Sequence, residues 1–191
     1  DGPDQRGAVY DPDFQRWTSP FIMAAINTRV VRRSNALLDF PWGEGFRYDE
    51  ALLTGTRTAA IRNSIAGGLG MGIMALKPTR KLAERFLPKP GEGPSRDQRE
   101  AGHYEVFFLG IADGAPDKNT LVRVSGKLDP GYGSTARMLG EAAVCLAQDN
   151  IAAGGDFWTP AAALGDSYLA RLRDKAGLEF TPARPEDIET G

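Results

Sequence analysis

The sequence predicts an α+β fold, a mostly antiparallel sheet with helices packed on one face. The first observation behind it is a hairpin pattern, because two strand-like runs, 104–111 and 120–125, are joined by Asp113-Gly114 and a few polar residues. The second is the order of the elements, which reads helix, strand, helices, hairpin, helix, helix, strand. A doubly wound parallel sheet would show a regular alternation of strands and helices instead.

The amino-terminal half of the chain is predicted to hold two long helices with a short strand between them. Ser19 and Pro20 are typical of an N-cap and a first helical residue, so the first helix is expected over 19–38. Residues 46–49 alternate aromatic and charged side chains, which predicts a half-buried strand. The second helix is expected over 56–76, ahead of a short amphipathic helix.

The second helix contains an apolar run, IAGGLGMGIMAL at 65–76, with four glycines and no charge. Its twelve residues are far fewer than the roughly 20 that cross a bilayer, so we expect no transmembrane segment. Its glycines lie inside a helical pattern and no strand precedes them. The run therefore lacks the strand, turn and helix context of a dinucleotide-binding loop.

The carboxy-terminal half begins after a surface loop at 88–102, which is rich in proline, glycine and charge. Val106–Leu109 are apolar on both faces of their strand, which predicts a covered central strand. Helices are expected after the turn at 129–133 and after Thr159-Pro160, and a strand over 178–181. In domain terms we expect an irregular leader over 1–16, a single α+β substrate and dimerisation domain over 17–182, and a tail over 183–191.

Composition narrows the possible functions. The 191 residues include 23 basic and 25 acidic side chains, and a net charge of −2 gives no strong field for nucleic acid or an anionic membrane. One histidine and one cysteine cannot form a zinc cluster, so no metal is expected. Cys145 lies in an alanine-rich helical pattern, which indicates a buried, inert thiol, and this usage suits a cytoplasmic protein.

A candidate ligand site is the turn Asp129-Pro130-Gly131-Tyr132-Gly133 at the start of a predicted helix. Gly131 and Gly133 permit close approach of a ligand, and the helix-start amides, continuing into Ser134 and Thr135, favour an anionic or polar group. A capped helix after a tight turn would have the same pattern. The local sequence leaves both interpretations open.

A second candidate is a cationic face near the end of the first predicted helix. Arg29, Arg32 and Arg33 are spaced by three and four residues, and Asn27 precedes them. Such a cluster would suit a substrate with several carboxylates. The alternative is ordinary, since cations near a helix carboxyl end are favourable and form surface ion pairs.

Four long segments carry a resemblance that covers roughly 17–181. The segments WTSPFIMAAINTRVVRRSNALL, PTRKLAERFLPKPGEGPS, DPGYGSTARMLGEAAVCLAQD and FWTPAAALGDSYLARL resemble, in order and style, the saccharopine dehydrogenase-like oxidoreductases that include the bacterial trans-acting enoyl reductases. The resemblance implies an amino-terminal Rossmann domain that binds the nicotinamide cofactor, followed by an α+β domain that covers the active-site cleft and often dimerises. The Rossmann fingerprint is absent from this chain, so we expect the chain to be inactive by itself.

For trans-acting enoyl reductases the implied reaction is hydride transfer from NADPH to the β-carbon of an enoyl thioester on a polyketide synthase. Such a reaction needs a polar group at the thioester oxygen and a proton source, for which Tyr132 is the candidate. One alternative is a saccharopine-type reductase or dehydrogenase acting on an amino-acid imine, which would use the arginine cluster. Another is a non-catalytic interaction or dimer module built on the apolar run.

Overall fold

The computed structural model describes residues 4–89 and 91–188. It divides the chain into two compact units, one formed by Asp1–Gly93 with Ile188–Gly191 and the other by Pro94–Asp187. Across the described residues there are two antiparallel three-stranded sheets and six α-helices, with no Rossmann fold. The predicted α+β class is confirmed, although the sheet that we expected to be one is two.

The first unit is built on the sheet β1-β2-β3, in which each strand is antiparallel to its neighbour. One helix lies between the second and third strands in the chain, and two more follow the third strand. The bounds are β1 Val9–Asp11, β2 Arg16–Pro20, α1 Ala24–Leu37, β3 Ala51–Thr54, α2 Arg57–Ala75 and α3 Lys77–Ala83. Strand β1 thus lies in the stretch 1–16 that we expected to be irregular, and the domain boundaries stay a prediction.

The predicted start of the first helix was wrong, because Ser19 and Pro20 end a strand. Both residues pair with β3, at Leu52 and Ala51, and Ser19 is fully buried. Pro20 occupies the last position of β2, beyond the residues of β2 that pair with β1. Helix α1 begins at Ala24, and the sequence ahead of it resembled a cap only in residue type.

The strand expected at 46–49 was also wrong. This stretch has no regular secondary structure, and the strand of this region is β3, a few residues later. Tyr48 explains the difference, because its hydroxyl donates to Glu50 Oε1 at 2.9 Å and its carbonyl accepts from Arg32 at 2.9 Å. Its polar groups are therefore bonded to side chains rather than to a neighbouring strand.

Helix α2 confirms the predicted helix at 56–76. Thr56 is its N-cap, and the Thr56 hydroxyl accepts the amide of Ala59 at 3.1 Å. Ala60, fully buried, lies where α2 contacts β2 and β3. Within the described residues, no helix alone has the length and apolar character to cross a membrane. Helices α2 and α3, bent by 108° at their junction, meet those criteria only when taken as a pair.

The second unit is built on the sheet β4-β5-β6, which is antiparallel throughout. Its elements are α4 Arg96–Ala101, β4 Tyr104–Gly110, β5 Thr120–Gly126, α5 Gly133–Gln148, α6 Pro160–Asp174 and β6 Leu178–Pro182. Helices α5 and α6 contact each other, and α6 also contacts β6. The predicted hairpin, both helices and the last strand are confirmed.

The position of β4 in the sheet differs from the expectation. The order β4-β5-β6 makes β5 the central strand and β4 an edge, and Val106 and Phe108 remain 42% and 41% exposed. The apolar run of β4 correctly predicted apolar side chains on both faces of the strand. The expectation that β4 is a covered central strand was wrong. The partner that takes the far side of β5 is β6, which is distant in sequence.

Candidate functional site

The turn before α5 is organised by the carboxylate of Asp129. Its Oδ1 accepts the amide of Tyr132 at 2.9 Å, and its Oδ2 accepts the amide of Gly133 at 2.6 Å. The Asp129 carbonyl accepts the amide of Ser134 at 2.9 Å, and Thr135 Oγ1 donates to the Pro130 carbonyl at 2.6 Å. Asp129 therefore performs the capping that the helix start requires.

These bonds also determine the charge of Asp129. Partial burial raises the pKa of its carboxyl, but the amides of Gly133, Tyr132 and Gly131, together with the charge of Arg99, outweigh that and hold the pKa below its ordinary value. The carboxylate is therefore ionised at neutral pH. An anion already sits, as part of the chain, at the amides that would otherwise attract one from solution.

Close packing explains the glycines around this turn. A Cβ added to Gly133 would lie 2.8 Å from Asp129 Oδ2 and 3.1 Å from Leu128 Cβ. A Cβ added to Gly102, which directly follows α4, would lie 2.5 Å from both the backbone nitrogen and the Cα of Asp129. The Asp129 amide donates to the Arg99 carbonyl at 3.0 Å, so the turn packs against α4.

The predicted site residues of the turn lie close together but have different surroundings. Tyr132 is 56% exposed, and Gly131 and Thr135 are also exposed. Ser134 is buried, and its hydroxyl is 2.7 Å from the Tyr104 hydroxyl at the start of β4. The side chain available to a ligand is therefore the phenol of Tyr132, while Ser134 has a structural bond.

The Asp129 bonds change the role that the amides of Gly131 and Gly133 were expected to have. Because the Gly133 amide donates to Asp129, it could polarise a substrate carbonyl only after the carboxylate moved away. An Asp three and four residues ahead of the amides that it accepts is a sequence signal for this Asx-type turn. Asp129 itself is not among the predicted site residues.

The second predicted set lies on α1, in the other unit. Asn27 donates to Glu50 Oε2 at 2.9 Å, and Arg32 donates to the Tyr48 carbonyl at 2.9 Å. Arg29 is exposed, bonds to the Ala25 carbonyl and lies 3.9 Å from Asp4. Arg33 is exposed as well. Asn27 and Arg32 thus hold the segment that leads to β3, and Arg29 and Arg33 present cations at the surface.

Burial of Tyr48 in this cluster, together with the negative charge and hydrogen bond of Glu50, raises the pKa of the Tyr48 phenol well above its ordinary value. The tyrosine is therefore neutral and acts as a hydrogen-bond donor to Glu50. Its role in the cluster is structural.

An ion-pair network between α5 and α6 went unnoticed in the sequence. Arg171 donates two bonds to Asp149, both at 2.7 Å, and a third to Glu141 at 3.0 Å. Hydrogen bonds from Arg171 and from the Cys145 thiol lower the pKa of Asp149 to about 2. Burial, followed by the bond to Asp149, raises the pKa of Cys145, and its side chain is fully buried, which confirms the predicted burial of this thiol.

We expect this network to stabilise the α5–α6 pair in a pH-dependent way. The pKa of Asp149 falls from 3.8 to about 2 on folding, so its contribution is fully present above about pH 4 and is lost as the pH falls through 2. Arg171→Met should lower Tm at pH 7 by roughly 5 °C, and the gap to the native chain should close at low pH. Thermal melts from pH 7 to pH 2 measure it.

The matched control is Arg96→Met, which breaks the exposed pair Arg96–Glu100. It should leave Tm almost unchanged, since exposed pairs contribute little. A gap for Arg171→Met that stayed constant down to pH 2 would contradict the role given to Asp149.

The described residues do not fit a nicotinamide dinucleotide. The glycine run lies in the interior of α2, where backbone amides donate to carbonyls of the same helix and cannot hold a pyrophosphate. No strand, glycine-rich turn and helix with that fingerprint occur in 4–89 or 91–188. The same residues contain no group of three or more His, Cys, Asp or Glu arranged to hold a metal.

The chain is similar to mycobacterial proteins named trans-acting enoyl reductase. A candidate trans-acting enoyl reductase of Mycobacterium tuberculosis (strain ATCC 25618 / H37Rv) is 40% identical over 195 residues, which cover 96% of this chain and 46% of that protein. Trans-acting enoyl reductases of Mycobacterium ulcerans (strain Agy99) and Mycobacterium bovis (strain BCG / Pasteur 1173P2) are 42% and 40% identical over 167 and 166 residues. These matches cover 82% of this chain and 39% of each relative.

No family model matches the chain, and no solved structure matches it significantly. The similarity supports the resemblance to trans-acting enoyl reductases, while the wider saccharopine dehydrogenase-like grouping stays a prediction. The chain spans less than half the length of the relatives it matches. Over nearly all of its own length, it is similar to proteins named trans-acting enoyl reductase.

Proposed function

We propose that this chain is the substrate-binding portion of a nicotinamide-dependent reductase that acts on an enoyl thioester or a related lipophilic acyl substrate. The similarity to trans-acting enoyl reductases supports the reductase class. The observation that carries the proposal within the structure is Tyr132, a phenol 56% exposed on a turn whose backbone is fixed by Asp129. A donor held in one position on a rigid turn is what a catalytic hydrogen bond requires.

In this proposal the Tyr132 hydroxyl donates a hydrogen bond to the thioester carbonyl oxygen, or it gives its proton to the α-carbon of the enolate formed by hydride addition and regains one from water. Asp129 acts through Tyr132, because it holds the Tyr132 and Gly133 amides and so fixes the backbone from which the phenol projects. Thr135 and Gly131, both exposed beside it, are the neighbouring substrate contacts. The NADP cofactor is assigned mainly to an amino-terminal Rossmann domain, since the described residues do not fit it.

The set on α1 favours an acyl substrate over a polycarboxylate. Asn27 and Arg32 already bond to Glu50 and to the Tyr48 carbonyl, and Arg29 lies 3.9 Å from Asp4, so these side chains have partners within the chain. A saccharopine-type substrate with several carboxylates would need more of this set to be available. We therefore keep that substrate as the second choice.

Calorimetry of the purified chain tests the division of roles. We expect NADPH to bind with a dissociation constant weaker than about 100 μM, because no fingerprint is present to hold its phosphates. An alkenoyl pantetheine thioester should bind more tightly than NADPH, and Tyr132→Phe should weaken it. Micromolar binding of NADPH by the chain would contradict the proposal.

The homodimer implied by the resemblance stays part of the proposal, and sedimentation velocity at tens of micromolar measures it. A dimer would be consistent with exposed apolar side chains on and just before α1, such as Ile22, Ile26 and Val30. A single monomer boundary at that concentration would remove dimerisation from the proposed roles.

A further inference from the structure

Helices α2 and α3 with the turn after them, residues 57–89, form a segment of the first unit that we call the apolar arm. Its large apolar side chains are 39% to 84% exposed. They are Ile61, Ile65, Leu69, Met71, Ile73, Met74, Leu76, Leu82, Phe86 and Leu87. Ten exposed large apolar side chains within 33 residues are more than the scattered single ones that a soluble surface normally carries.

Only the beginning of the arm is packed on its own unit. Ala60 is fully buried where α2 meets the sheet, whereas a Cβ added to Gly67, Gly68, Gly70 or Gly72 would find no atom within 4 Å. The second part of α2 is thus surrounded by open space. Each glycine in the interior of a helix costs about 1 kcal/mol against alanine, so this part of α2 needs a stabilising contact that its own unit does not supply at these positions.

The apolar arm is also strongly basic. It holds seven basic residues and one acidic residue, Glu84, so its local charge is +6 in a chain whose net charge is −2. The basic residues are Arg57, Arg62, Lys77, Arg80, Lys81, Arg85 and Lys89, and all seven are exposed. They lie on both sides of an uncharged stretch, 63–76, which contains the apolar run.

We propose that the apolar arm binds the surface of an anionic lipid membrane, with the uncharged stretch in the interface and the flanking cations on the lipid phosphates. The uncharged stretch is apolar around its whole circumference, and the long side chains of the flanking Lys and Arg can reach lipid headgroups while it enters the interface. At 1.5 Å per residue the uncharged stretch is roughly 20 Å long, shorter than the roughly 30 Å hydrocarbon core. The uncharged stretch alone is therefore too short to span the membrane, which is why we place it in the interface.

The charge decides between a lipid surface and a second copy of the chain. Pairing of two arms would bring two sets of like charges together whether the helices ran parallel or antiparallel, since cations lie at both ends of the uncharged stretch. An anionic surface complements the same charges. Arg57, over the Trp17 ring at 5.6 Å, and Arg80, 3.8 Å from Glu84, have partners within the chain, and the other basic residues still give the arm its sign.

Co-sedimentation of the 191-residue chain with vesicles tests the proposal directly. We expect binding to phosphatidylcholine vesicles that contain phosphatidylglycerol and little binding to phosphatidylcholine alone. Raising the salt from about 0.1 M to about 1 M, which shortens the Debye length from about 10 Å to about 3 Å, should weaken the binding. The native chain thus provides a test that needs no variant.

Two sets of substitutions separate charge from apolar surface. The triple variant Lys77→Glu, Arg80→Glu, Lys81→Glu should lower partitioning onto the anionic vesicles by roughly 100-fold or more. A matched control with the same change of charge replaces the exposed Arg47, Lys118 and Lys175 by Glu, and it should bind nearly as the native chain does. The variant Leu69→Ser with Ile73→Ser should lower partitioning by roughly 10-fold.

Three results would each overturn the proposal. The folded chain, checked by far-ultraviolet circular dichroism, would fail to bind the anionic vesicles. Alternatively, it would bind both kinds of vesicle equally, and neither salt nor the triple variant would matter. Finally, sedimentation would find a dimer that Leu69→Ser with Ile73→Ser dissociates, which would assign the arm to a second copy. None of these measurements depends on the proposed reduction.

Discussion

In the proposed reductase, Tyr132→Phe is expected to lower kcat by roughly 10²- to 10⁴-fold, the range typical of a lost general acid. The substitution removes one hydroxyl from an exposed ring, so it should leave the fold intact. It also leaves the Tyr132 amide bonded to Asp129, so the turn keeps its shape. The measurement is a steady-state rate as a function of pH, together with KM for the acyl substrate.

The control for this experiment is Tyr10→Phe, in β1. Tyr10 is also about half exposed, and its ring contacts Trp17 edge-on at 5.7 Å, so the loss of its hydroxyl should not change the rate. Tyr48 is unsuitable as a control because its hydroxyl holds Glu50. Full activity of Tyr132→Phe across the pH range would make Tyr132 a surface residue of a capped helix, and the proposed site would fail.

Gly102→Ala should destabilise the second unit by roughly 3 kcal/mol, the upper part of the range for overpacking. The new methyl group would overlap the backbone of Asp129, which has no flexible end to move aside. Relief of the clash would have to displace the turn, so the bonds from Asp129 to the Tyr132 and Gly133 amides should weaken as well. Urea unfolding of the second unit, followed by circular dichroism, measures the free energy.

A matched substitution in the same unit is Gly140→Ala in α5. An added Cβ there meets no atom within 4 Å, and alanine favours a helix over glycine by about 1 kcal/mol, so this variant should be more stable. The two variants carry the same chemical change in opposite surroundings. If Gly102→Ala were as stable as the native chain, the turn would not rest on α4 in the way the structure shows.

The sequence was most informative where structure is local. The hairpin β4–β5, helices α2, α5 and α6 and the final strand were all predicted, because caps, apolar spacing and turn residues act within a few residues of each other. Thr56 at the start of α2 and Pro160 at the start of α6 are examples. Errors arose where a distant segment decides, as at Ser19 and Pro20, which pair with β3.

The candidate site was predictable in outline, but its internal chemistry was not. The turn at 129–133 stood out from its glycines, yet the pattern could not tell an amide waiting for a ligand from one already bonded to Asp129. Residues of the α5–α6 network are up to thirty positions apart in the sequence, so no motif links Glu141 to Arg171. The net charge of the chain did not indicate the apolar arm, because acidic residues elsewhere cancel the local excess of basic residues.

The bond between Tyr104 and Ser134 ties the turn to the register of the hairpin. Tyr104 pairs with Gly126, and its ring occupies the space that a side chain at Gly126 would fill. A slip of one residue between β4 and β5 would turn Tyr104 to the opposite face of the sheet and withdraw its hydroxyl from Ser134. The position of the turn that bears Tyr132 therefore depends on the pairing of β4 with β5. An error in hairpin register during folding should displace that turn.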